Sequence, residues 1–316
     1  MPITRTGTLR RPVHGVLLLD KPLGLSSNQA LQKARWLLRA EKGGHTGTLD
    51  PLATGVLPLC FGAATKFSQI HIDADKTYEA VLRLGIRTAT GDAEGEVIDR
   101  RPVPAIHDAM LAEVAARFTG AQTQVPPMHS ALKHEGRALY AYARAGETVD
   151  RQPRNVWIHE LNLALTRTES GASAINLIAK VSKGTYIRTL GEDIGEALGC
   201  GAHLASLRRL SSGRFHAADG ITLDALAAMD EPERLGRLLP VDSLLAGHEA
   251  ITLDGDDAAR FLSGMRRRGD WPDADAVIVR GPDGALLGTA RVRAGELIAE
   301  RLLNPEEIRN IRESQP

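Results

Sequence analysis

The stretch GGHTGTLDPLATGVLP, residues 43–58, governs how this chain is read. Its opening GGHTGTLDP (43–51) carries too much Gly, Thr and Pro to propagate a helix, so it is expected to be an ordered loop presenting His45 and Asp50. Composition alone favours a plain turn with Asp50 as a turn residue ahead of Pro51. Loops held by a rigid frame are also where chemistry tends to sit.

Working outward, GVLLLD (15–20) reads as a buried strand closed by Lys21-Pro22. Ser26 with Gln29 three residues on is a capping-box signature, and Leu31, Ala34, Leu37 and Leu38 share one helical face, which predicts a helix to about Ala40. Downstream, Tyr78, Ala80, Leu82 and Leu84 alternate with Glu79, Val81 and Arg83, the two-residue period of a strand. TGDAEGEV (90–97) reads as a hairpin turn and AIHDAMLAEVAARF (105–118) as a helix. Residues 120–155, with Pro126-Pro127 and Pro153, show little sustained alternation and read as a mobile insertion. INLIAKVS (175–182) predicts a strand, TYIRTLGEDIGEALG (185–199) a helix with Ile187, Leu190 and Ile194 inward, and a last core strand is placed near Leu207. Beyond about Leu239 the texture shifts to short elements: a helix near Asp256–Leu262 and strands near 275–281 and 295–302. Residues 1–13 read as an irregular arm. The mixture of elements indicates an α+β fold with a smaller second module.

Bulk properties bound the function. The chain has 316 residues, 43% hydrophobic and 25% charged, enough for a sizeable core and an appended domain. Lys plus Arg equals Asp plus Glu at 39 each, so any nucleic-acid footprint must be local. Candidate basic groups are Lys133, Lys183, Arg208, Arg209 and the run Arg266–Arg268, although charged runs are usually solvated faces. Two cysteines are too few for a disulfide framework and suit a reducing, cytoplasmic compartment; no apolar segment suggests export or a membrane span.

Absent motifs narrow the chemistry further. GVLPLCFGAATK (55–66) lacks the Gly-Lys-Ser/Thr ending of a phosphate loop, and there is no GxSxG elbow, HExxH pair or Cys-x-x-Cys. Chemistry by side chains alone, without metal or cofactor, is the expectation.

Six blocks in order then resemble the TruB family of tRNA pseudouridine synthases: GVLLLDKP with SSN, the 43–58 stretch, Lys76-Thr77-Tyr78, PPMHSALK (126–133), SKGTYIRTL (182–190) and GCGAHLASLRRL (199–210). His129 stands where that pattern carries a tyrosine. The resemblance implies a mixed, largely antiparallel central sheet with flanking helices in a catalytic domain over 1–245, an insertion at about 120–155 that closes over the RNA, and a small β-rich PUA-like RNA-binding domain over 246–316. It implies isomerisation of uridine 55 in the T stem-loop of tRNA by one chain, a monomer, with no cofactor, membrane, guide RNA or obligate protein partner.

The resemblance also assigns residues. Asp50 becomes the catalytic carboxylate, and Arg188 its fixed cation, since a guanidinium stays charged in a desolvated site. The blander role for Arg188 is a surface pair with Glu192, worth about 0.3–0.5 kcal/mol. Tyr78 would stack on an extruded base, a contact worth about 1–3 kcal/mol, where otherwise it is a core-edge tyrosine. His45 would fill the vacated space, Tyr186 and Leu207 would contact substrate by hydrogen bonding and packing, and Lys21 would support the pocket. Without the resemblance these four read as a loop histidine, two core residues and a solvated turn lysine. Rival functions are an RNA chaperone, a nucleoside or glycoside hydrolase, and the catalytic subunit of a guide-RNA complex.

Overall fold

A computed structural model describes residues 10–314. A nine-stranded sheet forms its frame, ordered Gly15–Lys21, Ala53–Phe61, Ala202–Ser212, Lys76–Leu84, Ser173–Val181, Arg154–Arg167, Gly120–Gln124, with Gly43–His45 paired to Ala53–Phe61 and Phe215–His216 to Ala202–Ser212. Ala53–Phe61 and Ala202–Ser212 run parallel, and the other pairings are antiparallel. The expected mixed, largely antiparallel sheet is therefore what this chain folds into.

The pattern of each strand explains its place. In Lys76–Leu84, Ala80, Leu82 and Leu84 turn into the core while Glu79, Val81 and Arg83 remain partly solvated, as a sheet covered on one face requires. Ala53–Phe61 is instead buried almost without interruption. Leu57 and Leu59 pack beneath the helix Ser27–Leu37, whereas Val56 and Cys60 face a second cluster that includes Ile278, Leu286, Leu303 and Ile311 of the C-terminal part. Coverage on both faces demands a continuous apolar run, and LATGVLPLCF supplies one.

The first helix begins where its cap predicts. Ser26 Oγ accepts from Gln29 N–H at 3.2 Å and Gln29 Oε1 accepts from Ser26 N–H at 2.9 Å, a box worth about 1 kcal/mol. The helix ends at Leu37, three residues short of the expected limit. Asp108–Phe118 and Ile187–Ala197 are the other two long helices of this part, the latter with Ile187, Leu190 and Ile194 inward as expected. Residues 86–100 form the expected hairpin, Ile86–Thr88 against Val97–Arg100.

Several expectations need correction. The 120–155 segment is not wholly an excursion: Gly120–Gln124 and the strand starting at Arg154 pair with each other at the sheet edge, and only the span between them leaves the sheet. That span carries a two-residue hairpin and the helix Leu139–Arg144. The last core strand starts at Ala202, well before Leu207. The 14-residue strand Arg154–Arg167 has no counterpart in the sequence reading because a bulge between Ile158 and Glu160 shifts the buried positions from Val156 and Ile158 to Leu161, destroying the two-residue period. The irregular arm is fixed at its end, since Arg11 bridges to Ala40 and pairs with Glu231 at 2.7 Å; residues 1–9, including Arg5, lie outside the described residues.

The C-terminal part is a five-stranded sheet ordered Ala250–Thr252, Ala274–Arg280, Leu286–Arg293, Glu296–Leu302, Arg267–Arg268, with the helices Gly255–Leu262 and Pro305–Ser314. The helix near 256–262 and the two strands match expectation; Leu286–Arg293 and the last helix are additional. Lys66 clasps the two parts, donating to Leu302 O at 2.8 Å and pairing with Glu307 at 2.5 Å.

At the parallel contact, Gly55 adopts φ +100°, and a Cβ there would lie 2.2 Å from Arg209 O and 2.7 Å from Arg209 N. Gly55→Ala therefore combines left-handed strain with a backbone clash. It is expected to lower unfolding stability by at least about 2 kcal/mol, measured as a reduced denaturant midpoint with unchanged slope.

Candidate active site

A cleft of about 910 Å³ opens beside the sheet, at the upper end of the range for small-ligand sites. Its floor includes the loop after Gly43–His45, and that loop is tied at nearly every step. Thr46 N–H donates to Pro58 O at 3.2 Å, and Arg209 Nη2 donates to Gly47 O at 3.3 Å. Ser27 Oγ accepts from Leu49 N–H at 2.7 Å and donates back to Leu49 O at 3.0 Å, with Leu49 itself buried. Gly24 N–H reaches Pro51 O, and Ala53 N–H closes onto Asp50 O. The Asp50 side chain is thus held by backbone bonds on both flanks and lines the cleft.

Opposite it, Arg188 occupies the first turn of Ile187–Ala197, its side chain only 7% exposed. Nη2 lies 2.9 Å from Asp50 Oδ2 and donates to His129 O at 2.5 Å; Nη1 donates to Thr90 O at 3.2 Å and stands 3.6 Å from Asp92 Oδ2. The ion pairs go to Asp50 and Asp92, so the surface pairing with Glu192 is not adopted. One guanidinium joins the loop, the 86–100 hairpin and the insertion.

Burial in the cleft raises the Asp50 pKa above its ordinary value, while the Arg188 charge pulls it back and Asp92 adds to the rise. Solvent still touches 41% of the side chain, but that contact is with cleft surface, where surrounding protein atoms deprive a charge of bulk hydration. The upward direction follows from that geometry.

His45, Tyr78, Tyr186 and Leu207 line the same cleft as Asp50 and Arg188. Tyr78 packs between the two main core clusters with its surface partly open, and Leu207 packs against the same two clusters from the neighbouring strand. Tyr186 precedes the arginine helix; its N–H donates to Gln124 Oε1 at 2.9 Å, and the Arg154 guanidinium sits 5.9 Å from its ring centre. His45 Nδ1 is buried without a partner, and burial together with the Arg209 charge lowers the imidazole pKa. Lys21 does not line the cleft. It is fully buried beside it, donating to Pro22 O at 2.8 Å and Leu25 O at 2.6 Å, which overturns the solvated-turn alternative. Burial pushes its pKa down to about 8, with Asp50 partly opposing the shift.

Several of the candidate basic groups already have carbonyl or carboxylate partners within the chain. Arg209 is 1% exposed and spends Nε on Val56 O at 2.7 Å; it braces the loop rather than facing outward. Arg208 pairs with both carboxyl oxygens of Asp20, Lys183 with Asp73, Arg266 and Arg268 with Glu296, and Arg267 with Asp257. Sequence reasoning missed Asp92, because an Asp in TGDAEG reads as a turn former. It also missed Lys76, a buried cation lining the cleft that donates to Ile72 O and Ala74 O and has its pKa pushed to about 8 by burial.

Comparison with known proteins gives the family of the chain. The fold is shared with a chain in the crystal structure of a Cbf5-Nop10-Gar1 complex, at TM-score 0.70 and 23% identity, covering 93% of this chain and 87% of that one. Residues 35–187 match the model of the TruB family pseudouridylate synthase N-terminal domain, and residues 188–246 that of the tRNA pseudouridylate synthase B C-terminal domain. The tRNA pseudouridine synthase B of Verminephrobacter eiseniae is 60% identical over 100% of this chain and 96% of its own length; that of Ralstonia nicotianae is 54% identical over 93% and 96%. The chain belongs to the TruB family of pseudouridylate synthases.

A carboxyl group whose pKa rises on folding favours the folded state below its unfolded value and loses that contribution as pH climbs through the folded one. Asp50→Asn is therefore expected to raise the thermal midpoint at pH 7, the gain shrinking to nothing as pH falls below the ordinary value of 3.8. Removing the opposing charge with Arg188→Met is expected to move the Asp50 titration further upward, read by carboxyl-carbon NMR.

Proposed function

We propose that this tRNA pseudouridine synthase acts on uridine 55 of the T loop, and that Asp50 is the carboxylate that meets the extruded nucleotide. The observation that carries the reading is the Asp50–Arg188 pair, 2.9 Å apart in a cleft with room for a nucleotide. Isomerisation breaks the C1′–N1 bond and forms C1′–C5; a proton leaves C5 and one arrives at N1. Nothing enters or departs overall, so no cofactor is called for. An ionised carboxylate serves whether it acts at the sugar carbon, at the base or on a sugar proton, and Arg188 keeps it ionised when RNA shuts out water.

Extruding a uridine costs on the order of a few kcal/mol. Stacking on Tyr78 offsets part of that, His45 occupies the space left in the loop, Tyr186 and Leu207 grip the nucleotide by hydrogen bonding and packing, and Lys21 stiffens the turn behind Asp50. Their support is shared location: Tyr78, His45, Tyr186 and Leu207 line the same cleft as Asp50 and Arg188, and Lys21 is buried beside it. Residues 1–245 act as the catalytic domain, the 120–155 insertion closes over the T stem-loop, and 246–316 serve as a PUA-like RNA-binding domain. The enzyme works in the cytoplasm as a monomer on tRNA, without guide RNA or protein partner; no helix among the described residues is long and apolar enough to cross a membrane.

The test is mass-resolved mapping of an isolated T stem-loop incubated with the purified chain and with Asp50→Asn. Wild type should yield pseudouridine at position 55 alone. The variant should lose more than about 1000-fold in rate, or about 4 kcal/mol of transition-state stabilisation, while binding tRNA within about threefold of wild type. Product formation by the variant would remove Asp50 from the chemistry. Wild-type binding without product would favour a chaperone, and release of free uracil a hydrolase.

A further inference from the structure

Residues 130–132 of the insertion line the cleft and include a polar group with no hydrogen-bond partner inside the protein. Ser130 is 4% exposed and lines the cleft with Asp50, Tyr78 and Leu207, yet its Oγ has no hydrogen-bond partner. Among the described residues, Ser130 and His45 are the two cleft-lining residues with such an orphaned side-chain atom. Buried hydroxyls are nearly always bonded, because leaving one unpaired forfeits its hydration without return. An exception in a cleft wall points to a partner that arrives with the ligand.

Ser130 is also held in place independently of its hydroxyl. Its carbonyl accepts from Tyr140 N–H at 3.0 Å, and Leu132 O accepts from Leu139 N–H at 2.7 Å, pinning the segment to the start of the helix Leu139–Arg144. On the other side, the carbonyl of His129 takes the Arg188 Nη2 hydrogen bond at 2.5 Å. The hydroxyl therefore sits one residue from a contact to the cation that holds Asp50, on a backbone that fixes its direction. Because that contact uses the backbone of residue 129, a histidine in place of the family's tyrosine leaves it intact.

We propose that Ser130 Oγ hydrogen-bonds the extruded nucleotide when the insertion is closed, making it a further substrate-positioning residue contributed by the insertion rather than by the sheet. The inference rests on the reading of this cleft as the nucleotide site. A uridine entering it brings carbonyl oxygens, an imide N–H and ribose hydroxyls that lose water on entry and need replacement partners. A hydroxyl can donate or accept toward any of them.

Ser130→Ala and Ser130→Cys both remove the hydroxyl, the second keeping nearly the same volume. Both full-length variants are to be compared with wild type in single-turnover pseudouridine formation on the T stem-loop at saturating enzyme, and in thermal melting without RNA. We expect each to be slower by about five- to tenfold, the worth of one lost hydrogen bond. The melting midpoint should be unchanged or higher, since the hydroxyl is unpaired in the free protein. A merely structural serine would show the opposite, a lower midpoint. Rates equal to wild type, or slowing that tracks a loss of thermal stability, would overturn the assignment. A wild-type chain that forms no pseudouridine would instead sink the functional reading beneath it.

Discussion

The Arg188 guanidinium is the group on which the rest of the site depends. It is nearly sealed from solvent and spends its donors on Asp50, Asp92, Thr90 O and His129 O, so three separate stretches of chain converge on one charge. Burying a cation is tolerable only when its partners are fixed before it arrives. The sheet provides that fixity: the arginine helix packs Ile187, Leu190 and Ile194 against the strands that carry Tyr78 and Leu207, and the Asp50 loop is bonded to the helix Ser27–Leu37 on one side and to Arg209 on the other. Loss of the guanidinium would take from Asp50 and the buried Asp92 the cation that they share.

Cationic groups outnumber accessible anions around this pair. Lys21 and Lys76 are buried with backbone carbonyls as their hydrogen-bond acceptors, each held near pKa 8 by desolvation, and Arg209 likewise bonds carbonyl oxygens. A chain of zero formal net charge thereby concentrates positive potential at one place. That arrangement suits an anionic polymer approaching the cleft mouth, and it is invisible in the bulk composition.

How much of this could be read beforehand depends on the kind of signal. The capping box at Ser26 and Gln29, the alternation through Ala80, Leu82 and Leu84, and the inward stripe of Ile187, Leu190 and Ile194 are local patterns, and the fold reproduces them. Where a strand is bulged, as in Arg154–Arg167 and Ala202–Ser212, the period breaks and periodicity fails. Gly55 and Pro58 conceal the buried strand Ala53–Phe61 for a different reason, since both residues usually mark strand ends. The gathering of His45, Asp50, Tyr78, Tyr186, Arg188 and Leu207 in one cleft was legible only through family resemblance, because no local pattern encodes contacts between residues over a hundred positions apart. Asp92 and Ser130 escaped altogether: one looks like a turn former, and the other belongs to a segment whose role depends on what it leaves unbonded.

The double coverage of Ala53–Phe61 has a consequence for how the molecule can be divided. Val56 and Cys60 meet Ile278, Leu286 and Ile311 on one face while Leu57 and Leu59 support the Asp50 region on the other. Deleting the C-terminal part would bare an oily patch on the back of the very strand that follows the Asp50 loop, inviting self-association. The tail is therefore poorly suited to being exchanged or shed as an independent cassette, and a truncated protein that failed to work would say little about RNA binding by the missing piece.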